Sequence, residues 1–339
     1  MSAYTIYGAL GSPYSIKVRA ALRAKRVPYL WKTLTADLRA EIFAHVKAPV
    51  IPVIKRPDDS WINDSTPFLL ELEEADIGRA LLPDDPALRF ANLLIEDMAD
   101  EWIMKSMFHY RWAYADDAEI LSQWLIYDNL PGAGLETIQP IAADIAARQI
   151  DRMALVGCTP ETKPAIEAMF ARTIAIINEA ALAGPFLFGQ RPSLADIAIM
   201  AHLGQQAIDP TPCALMRREA PFAWRWLQHV DDASGAEGNW DDDALNRPTI
   251  KALLAMAGDS YLPFLAANKA ALEAGDETVS LTLEGHPYTQ KPFGYQAKCL
   301  VALQHKWQNL PPAAQAKLSS LIGKTVSTLQ NSTSTNQAP

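Results

Sequence analysis

The predicted secondary structure changes near Pro83, and this change constrains the fold more than any other feature of the sequence. Before Pro83, short segments rich in β-branched and aromatic residues alternate with helical patterns in the order β-α-β-α-β-β-α. After it, apolar residues recur at helical spacing in almost every patterned segment. We therefore expect an α/β domain over residues 1–80, an all-helical domain over 86–232 and, after an acidic linker, a helical extension over 245–330.

The individual elements follow from the same patterns and from turn and cap residues. The predicted strands are 4–10, 29–34, 50–54 and 61–63, and the predicted helices of the first domain are 13–25, 37–46 and 66–76. Later helices are predicted at 88–107, 142–155, 163–183, 193–208, 221–230, 249–267, 292–308 and 313–329. The tail, residues 331–339, is rich in Ser, Thr, Asn and Gln, and we expect it to fray.

Composition excludes several classes of protein. Hydrophobic residues make up 49% of the 339 residues and charged residues 20%, which is typical of a globular chain. The formal charge of −9 would repel a nucleic-acid backbone, so we expect no nucleic-acid partner. We found no apolar run long enough to cross a bilayer and no basic segment of a signal peptide, so we expect a cytoplasmic protein without a membrane partner.

Cysteine and histidine spacing also argues against two kinds of site. The three cysteines are far apart and odd in number, which indicates free thiols in a reducing compartment. The six histidines form no pair at helical zinc spacing, so no metal is expected. The acidic residues Asp97, Asp100 and Glu101 share a predicted helix, and we interpret them as a solvated face.

The first candidate site feature is a serine at a strand-to-helix turn. Ser12 and Pro13 stand where an N-cap and a first helical residue are preferred. A hydroxyl at this position lies at the positive end of the helix dipole and can donate a hydrogen bond to an anion.

Two further features of the same domain suit a small polar ligand. Ile51 and Pro52 enter a predicted strand, where a cis bond would explain the proline and turn the backbone of Ile51 toward a ligand. Asp64 and Ser65 stand at the start of the next helix, where backbone N–H groups can donate hydrogen bonds to a carboxylate and Asp64 can pair with an ammonium. Each feature alone is most often structural, but their order within one α/β unit is informative.

These segments resemble a known family. The runs YTIYGALGSPYSIKVRAALRAKRVPY, VIPVI and INDSTPFLLELEE are similar to the thioredoxin-like N-terminal domain of cytosolic glutathione S-transferases of the serine type. The later run GQRPSLADIAIMAHL resembles their all-α C-terminal domain, with Ser193 and Asp196 as a structural capping box. The chain is longer than ordinary members, and HPYTQKPFGYQAKCLVALQHKW in its extension is similar to long bacterial members.

The resemblance implies that the first domain binds glutathione as a co-substrate. It makes Ser12 the candidate donor that stabilises the glutathione thiolate, with Tyr7 and Tyr14 as alternatives. Redox relatives carry Cys-Pro-Tyr-Cys where this chain has Ser-Pro-Tyr-Ser, so disulfide exchange is not expected.

The resemblance also assigns the remaining contacts to glutathione. The backbone of Ile51 beside Pro52 would pair with the cysteinyl unit, and Asp64 with Ser65 would hold the γ-glutamyl end. Lys47 or His45 could bind the glycine carboxylate. The segment before Pro52 is shorter than is usual in the family, so the usual contact to this end of glutathione is not recognisable.

The second substrate needs an apolar pocket against the helical domain. The candidate lining residues are Tyr14, Met107, Tyr110 and Trp112. His109 or Arg111 could orient an oxygen there, although the aromatic density also fits core packing and a dimer seam.

The resemblance therefore implies a cytoplasmic, homodimeric transferase with a role in detoxification. Its glutathione thiolate would attack a small hydrophobic electrophile in conjugation, ether cleavage or isomerisation. The alternative is a non-catalytic module that keeps the fold for ligand binding or protein interaction. The predicted helices 249–267 and 292–308 could close over the pocket as a lid, or could fill the electrophile site and abolish turnover.

Overall fold

A computed structural model describes residues 3–330 of the chain, so the predicted fraying of residues 331–339 lies outside the described residues. The N-terminal domain is built on a mixed four-stranded sheet of order β2-β1-β3-β4. β1 pairs with β2 in parallel and with β3 antiparallel, and β3 pairs antiparallel with β4. The strands are β1 (Tyr4–Gly8), β2 (Tyr29–Thr33), β3 (Val53–Lys55) and β4 (Trp61–Asn63), and the helices are α1 (Pro13–Lys25), α2 (Ala36–Phe43) and α3 (Ser65–Glu74).

Helix α1 shows how the local sequence fixes these bounds. Ser12 caps its first turn, Pro13 is its first residue, and Arg26 ends it in the left-handed conformation at φ 57°. Val18 and Leu22 lie one turn apart on its buried face, so they pack into the core together. The predicted bounds of α1 are confirmed.

The second region is helical, as predicted. Its helices are α4 (Pro86–Met98), α5 (Met104–Ala113), α6 (Ala115–Asn129), α7 (Leu135–Asp151), α8 (Lys163–Ala183), α9 (Leu194–Gln206), α10 (Pro210–Glu219) and α11 (Pro221–Asp231). A π-helical segment, Ala99–Ile103, joins α4 to α5 without a break. Helix α8 has the predicted bounds, whereas α6 and α10 were not predicted.

The capping box before α9 is confirmed. Ser193 accepts a hydrogen bond from the N–H of Asp196, and the carboxylate of Asp196 accepts one from the N–H of Ser193. The same carboxylate also accepts from the N–H of Leu187 at 2.8 Å, so it ties the preceding loop to the helix start.

The extension contains helices and one hairpin that the sequence analysis did not predict. Its elements are α12 (Pro248–Met256), α13 (Leu262–Ala274), β5 (Val279–Leu283), β6 (His286–Gln290), α14 (Gly294–Gln308), α15 (Pro312–Ile322) and α16 (Ser327–Gln330). Glu284 and Gly285 form the two-residue hairpin turn with φ values of 49° and 78°. Glutamate is unusual at the first of these positions, so the turn signal in the sequence was weak.

One helical run of the extension is long and apolar enough to cross a membrane, which corrects the expectation that the sequence contains no such run. It spans Pro248–Ala274, has a mean hydropathy of 1.2 in its most apolar window, and 61% of that window is buried inside the protein. The run packs against α4, α8, α14 and α15. This packing is typical of the core helix of a globular protein.

The extension shares its core with the rest of the chain. A single apolar cluster reaches from Ile6 in β1 to Leu329 in α16. Within it, the ring of Trp307 packs edge-on against Phe90 of α4 at 5.3 Å between centroids. Residues 245–330 are therefore packed into the protein and do not form a separate apolar core.

Candidate functional site

Three turns of the N-terminal domain meet at one edge of the sheet, and the strand register explains why. Tyr7 of β1 pairs with Val53 of β3, which pairs on its other side with Asn63 of β4. Because both pairings are antiparallel, β1 and β4 end where β3 begins. The residues that follow β1, precede β3 and follow β4 therefore lie at this edge. We call these residues the edge site: Ser12, Ile51, Pro52, Asp64 and Ser65.

Ser12 presents a hydroxyl at the start of α1. Its Oγ accepts a hydrogen bond from the N–H of Ser15 at 3.3 Å, and its side chain is half-buried. That bond uses the oxygen as an acceptor, so the hydroxyl proton remains available for donation. The positive end of the α1 dipole lies at the same point, which favours an anionic acceptor.

The peptide bond between Ile51 and Pro52 is cis, as the sequence analysis suggested. Ile51 is half-buried, and within residues 3–330 no backbone hydrogen bond involves its N–H or C=O. A backbone with both polar groups unpaired at a sheet edge can bond to an extended peptide ligand.

Asp64 and Ser65 occupy the start of α3, which begins one residue earlier than predicted. Asp64 has a positive φ of 115°, and its side chain does not cap the helix. Its Oδ2 instead accepts a hydrogen bond from the hydroxyl of Tyr295 at 2.7 Å. Burial raises the pKa of the Asp64 carboxyl above its ordinary value. Ser65 is 2% exposed.

The helical region holds the loop that carries Ser12. Arg111 donates from Nη1 to the carbonyl of Gly11 at 2.9 Å, and Gln205 donates from Nε2 to the carbonyl of Leu10 at 3.0 Å. Arg111 is itself fixed by two bonds to the carboxylate of Asp209, at 3.0 and 3.1 Å. Arg111 therefore positions the loop, and this corrects the expectation that it could orient a substrate oxygen.

The two tyrosines considered as alternatives to Ser12 have different surroundings. The hydroxyl of Tyr14 donates to the backbone carbonyl of Asp100 at 2.9 Å, and burial raises its pKa well above the ordinary value. Its proton is thus already committed to a bond between α1 and the π-helical segment. Tyr7 is buried and stacks on Trp61 at 5.7 Å, in a small cluster beneath α2.

The expected lining of an electrophile pocket lies inside the protein. Met107, Tyr110 and Trp112 are 6%, 3% and 4% exposed. Tyr110 packs against Phe170 of α8 at 4.8 Å, and His109 bonds to Glu167 at 3.0 Å. This burial argues against an open pocket at these residues, and the contact of Tyr110 with α8 favours the alternative interpretation, core packing.

Of the acidic residues interpreted as a solvated face, Asp100 and Glu101 are buried and Asp97 is half-buried, which corrects that interpretation. Lys17 of α1 is fully buried and pairs with Glu96 and, at 2.6 Å, with Asp100. The other oxygen of Asp100 contacts Nε2 of His202 at 2.9 Å. Burial alone would lower the pKa of Lys17, but the two carboxylates outweigh it and raise the pKa.

A cavity of about 200 Å³ lies beside this cluster, between α3, α4 and α14. Asp97 and Glu101 line it, as does Tyr295 of the extension. Burial raises the pKa of Asp97 to about 7 and that of Glu101 well above its usual range. Asp97 accepts a hydrogen bond from the hydroxyl of Tyr261 at 2.5 Å. Thr66 and Pro67 also line the cavity, so it lies against the first turn of α3.

Three residues that position the edge site were not assigned to it from the sequence. Arg111, Gln205 and Tyr295 come from segments 100 or more residues after the loop or turn that each one contacts. No local sequence pattern predicts contacts between such distant residues. Arg111 alone gave a partial signal, because it is a charged residue within an aromatic run.

One family model matches part of this domain. Residues 11–75 match the family model described as "Glutathione S-transferase, N-terminal domain". No curated protein matches the chain.

Solved structures show a distant likeness. A glutathione S-transferase from Rhodospirillum rubrum F11 is 20% identical, with a TM-score of 0.44 over 74% of this chain and 91% of that one. Beta-etherase LigF from Sphingobium sp. strain SYK-6 is 16% identical, with a TM-score of 0.46 over 75% and 98%. A glutathione S-transferase from Methylobacillus flagellatus KT with glutathione bound is 16% identical, with a TM-score of 0.42 over 74% and 98%.

The N-terminal domain match agrees with the mixed four-stranded sheet and its three helices. Residues 11–75 therefore match the N-terminal domain of glutathione S-transferases, and the chain resembles that superfamily, with a largely helical region after this domain.

Proposed function

We propose that the chain binds glutathione at the edge site and stabilises its thiolate for attack on a hydrophobic electrophile. The observation that carries the proposal is the strand register, which brings a helix-capping hydroxyl, an unpaired backbone and a carboxylate beside a helix start to one sheet edge. The hydroxyl is complementary to a thiolate, and the unpaired backbone is complementary to a peptide. The carboxylate beside the helix start is complementary to an amino acid head group.

Each residue has one role in this proposal. Ile51 pairs through its backbone with the cysteinyl unit, beside Pro52. Asp64 accepts the α-ammonium of the γ-glutamyl group, and Ser65 with the first N–H groups of α3 binds its carboxylate. Lys47 or His45, both exposed, would face the glycine carboxylate.

Ser12 acts on the sulfur. A free thiol has a pKa of about 8.5, so only a few per cent is ionised at neutral pH. Donation from the Ser12 hydroxyl, together with the helix dipole, would lower that pKa by about two units. The thiol proton leaves to solvent, the sulfur lone pair forms the new C–S bond, and the leaving group of the electrophile departs with its bonding pair.

Calorimetric titration with glutathione tests the proposal. We expect the wild type to bind one glutathione per chain and Ser65→Ala to bind more weakly, because the variant loses a hydroxyl donor to the carboxylate. Thr137→Ala, an exposed threonine on α7, is the control for loss of a hydroxyl. If the wild type takes up no glutathione, the proposal is wrong.

A non-catalytic binding module is the second candidate, favoured by the burial of Met107, Tyr110 and Trp112 and by the contact of Tyr295 with Asp64. It predicts glutathione binding with no ultraviolet thiolate band. We also propose a cytoplasmic homodimer, on the basis of the family resemblance, and light scattering would measure its mass in solution.

A further inference from the structure

The extension reaches the edge site through one side chain. Tyr295, in the first turn of α14, donates its hydroxyl to Oδ2 of Asp64 at 2.7 Å across 231 positions of sequence. Asp64 directly precedes α3, so this bond joins the extension to the start of that helix. Tyr295 also lines the cavity behind α3.

The charge of Lys17 acts on the Asp64 carboxyl to lower its pKa, but the two groups form no ion pair. Within residues 3–330, no lysine, arginine or histidine nitrogen forms an ion pair with its carboxylate. Burial disfavours its charge and raises its pKa, and the hydrogen bond from Tyr295 opposes this shift. A carboxylate offers about four lone-pair sites, so one phenol bond leaves room for an ammonium.

The backbone of Asp64 also needs support. Its φ of 115° lies in a region that residues other than glycine rarely adopt. Such a conformation is strained and persists only where neighbouring groups hold it. The bond to Tyr295 is a contact that can hold this side chain in one orientation.

Tyr295 is itself held in place. Two residues before it, Phe293 forms two backbone bonds with the buried side chain of Asn268 in α13. The N–H of Phe293 donates to Oδ1 of Asn268 at 2.8 Å, and Nδ2 of Asn268 donates to the carbonyl of Phe293 at 2.9 Å. The start of α14 is thereby fixed to α13. Tyr295 belongs to α14 itself, so its phenol contacts Asp64 from a helix and not from a loop.

We propose that Tyr295 is a positioning residue that orients the Asp64 carboxylate, leaving Oδ1 to accept the α-ammonium of the γ-glutamyl group. The inference rests on the proposed function. A neutral phenol leaves the negative charge of Asp64 intact, and a charge-assisted bond to an ammonium is stronger than a neutral one. Tyr295 therefore makes the extension part of the γ-glutamyl subsite.

Calorimetry on Tyr295→Phe tests this role, because the variant removes only the hydroxyl of a side chain that is 41% exposed. Loss of one hydrogen bond should weaken glutathione binding about five- to tenfold. Glutathione acetylated on its α-amino group has no ammonium, so the variant should bind it as the wild type does. The pKa of the bound thiol should not change, since Ser12 is untouched.

Tyr29→Phe is the matched control, because Tyr29 pairs with Tyr4 at the end of β1 opposite to the edge site. It should bind both ligands as the wild type does. Equal or tighter glutathione binding by Tyr295→Phe would overturn the inference, as would equal weakening for the acetylated ligand. Those results leave the proposed function intact, whereas a wild type that binds no glutathione overturns both.

Discussion

Arg111 donates a hydrogen bond from Nη1 to the carbonyl of Gly11 at 2.9 Å, one residue before Ser12. Arg111 is 3% exposed and is also bonded to Asp209 and Gln205. The hydroxyl proposed to stabilise a thiolate is thus placed by a side chain of the helical region. The two regions of the fold are coupled at the point where the chemistry is proposed.

Arg111→Lys should show whether the position of the loop depends on the hydrogen bonds of Arg111 or only on its positive charge. Lysine keeps a positive charge beside Asp209, but it lacks the planar fork that reaches Asp209, Gln205 and Gly11 together. We expect a loss of roughly 1–3 kcal/mol in the free energy of unfolding, and a weaker thiolate band with bound glutathione. Urea unfolding and ultraviolet difference spectra measure the two effects.

Arg218→Lys is the control for Arg111→Lys, since Arg218 is exposed and pairs with its neighbour Glu219. It should leave stability and the thiolate band unchanged. An unchanged thiolate band in Arg111→Lys would show that the loop does not depend on this bond.

Replacing Ser12 should distinguish its role as a helix cap from its proposed role as a hydrogen-bond donor to the thiolate. Ser12→Ala removes both the helix cap and the hydroxyl, at about 1 kcal/mol in stability, whereas glycine is nearly as good a cap as serine. We expect both Ser12→Ala and Ser12→Gly to bind glutathione without the thiolate band, and Ser12→Gly to be the more stable of the two. Thermal melts and ultraviolet spectra of the glutathione complexes test this.

Asp85→Ala controls for the loss of a cap. Asp85 caps α4 by accepting from the N–H groups of Ala87 and Leu88, both at 2.9 Å. This variant should lose a similar stability and keep the thiolate band. A thiolate band that survives in Ser12→Gly would assign activation to another group.

Lys17→Met should strongly destabilise the protein. The substitution leaves the carboxylates of Glu96 and Asp100 buried without their cation, which costs about 3–5 kcal/mol. Adding Glu96→Gln should restore part of that loss, because one uncompensated charge is removed. Denaturant unfolding of the two single variants and the double variant measures the coupling, and strictly additive losses would contradict it.

Asp97 should make stability depend on pH. Its pKa is raised from 3.8 to about 7 by burial and by the nearby Glu96. Between these values the folded protein holds a proton that the unfolded chain has lost, so the free energy of unfolding falls as pH rises. In Asp97→Asn the side chain stays neutral and can still accept a hydrogen bond from Tyr261. The variant should therefore lose the pH dependence due to Asp97, and its free energy of unfolding should rise relative to that of the wild type toward pH 8.

Thermal melts from pH 4 to pH 8 test the Asp97 prediction. The exposed Asp116→Asn is the control and should run parallel to the wild type. A constant difference in melting temperature between wild type and Asp97→Asn over this range would show that Asp97 does not titrate as described.

Local signals in the sequence predicted much of the N-terminal domain. The cap at Ser12, the cis bond at Pro52 and the helix start at Ser65 are set by residues near each of them, so pattern and turn chemistry were sufficient. These predictions placed the turns, and the register of β1, β3 and β4 brought them together.

The remaining features depend on contacts between distant segments. An acidic helix face such as Asp97, Asp100 and Glu101 is usually solvated. Here Lys17 from α1 pairs with Asp100, and α14 packs beside the face, so that Asp100 and Glu101 are buried and Asp97 is half-buried. Tyr295 was not predicted to reach Asp64, because no rule of local sequence links the start of α14 to the start of α3. Met107, Tyr110 and Trp112 have the composition of a pocket, but all three are buried, and Tyr110 packs against α8.

The central claim is tested most directly by titrating the thiol of glutathione bound to the wild type, followed through its thiolate absorbance. The account predicts a pKa near 6.5, about two units below the ordinary value of about 8.5, so that thiolate predominates at pH 7.5. A bound thiol that still ionises near pH 8.5 would contradict it.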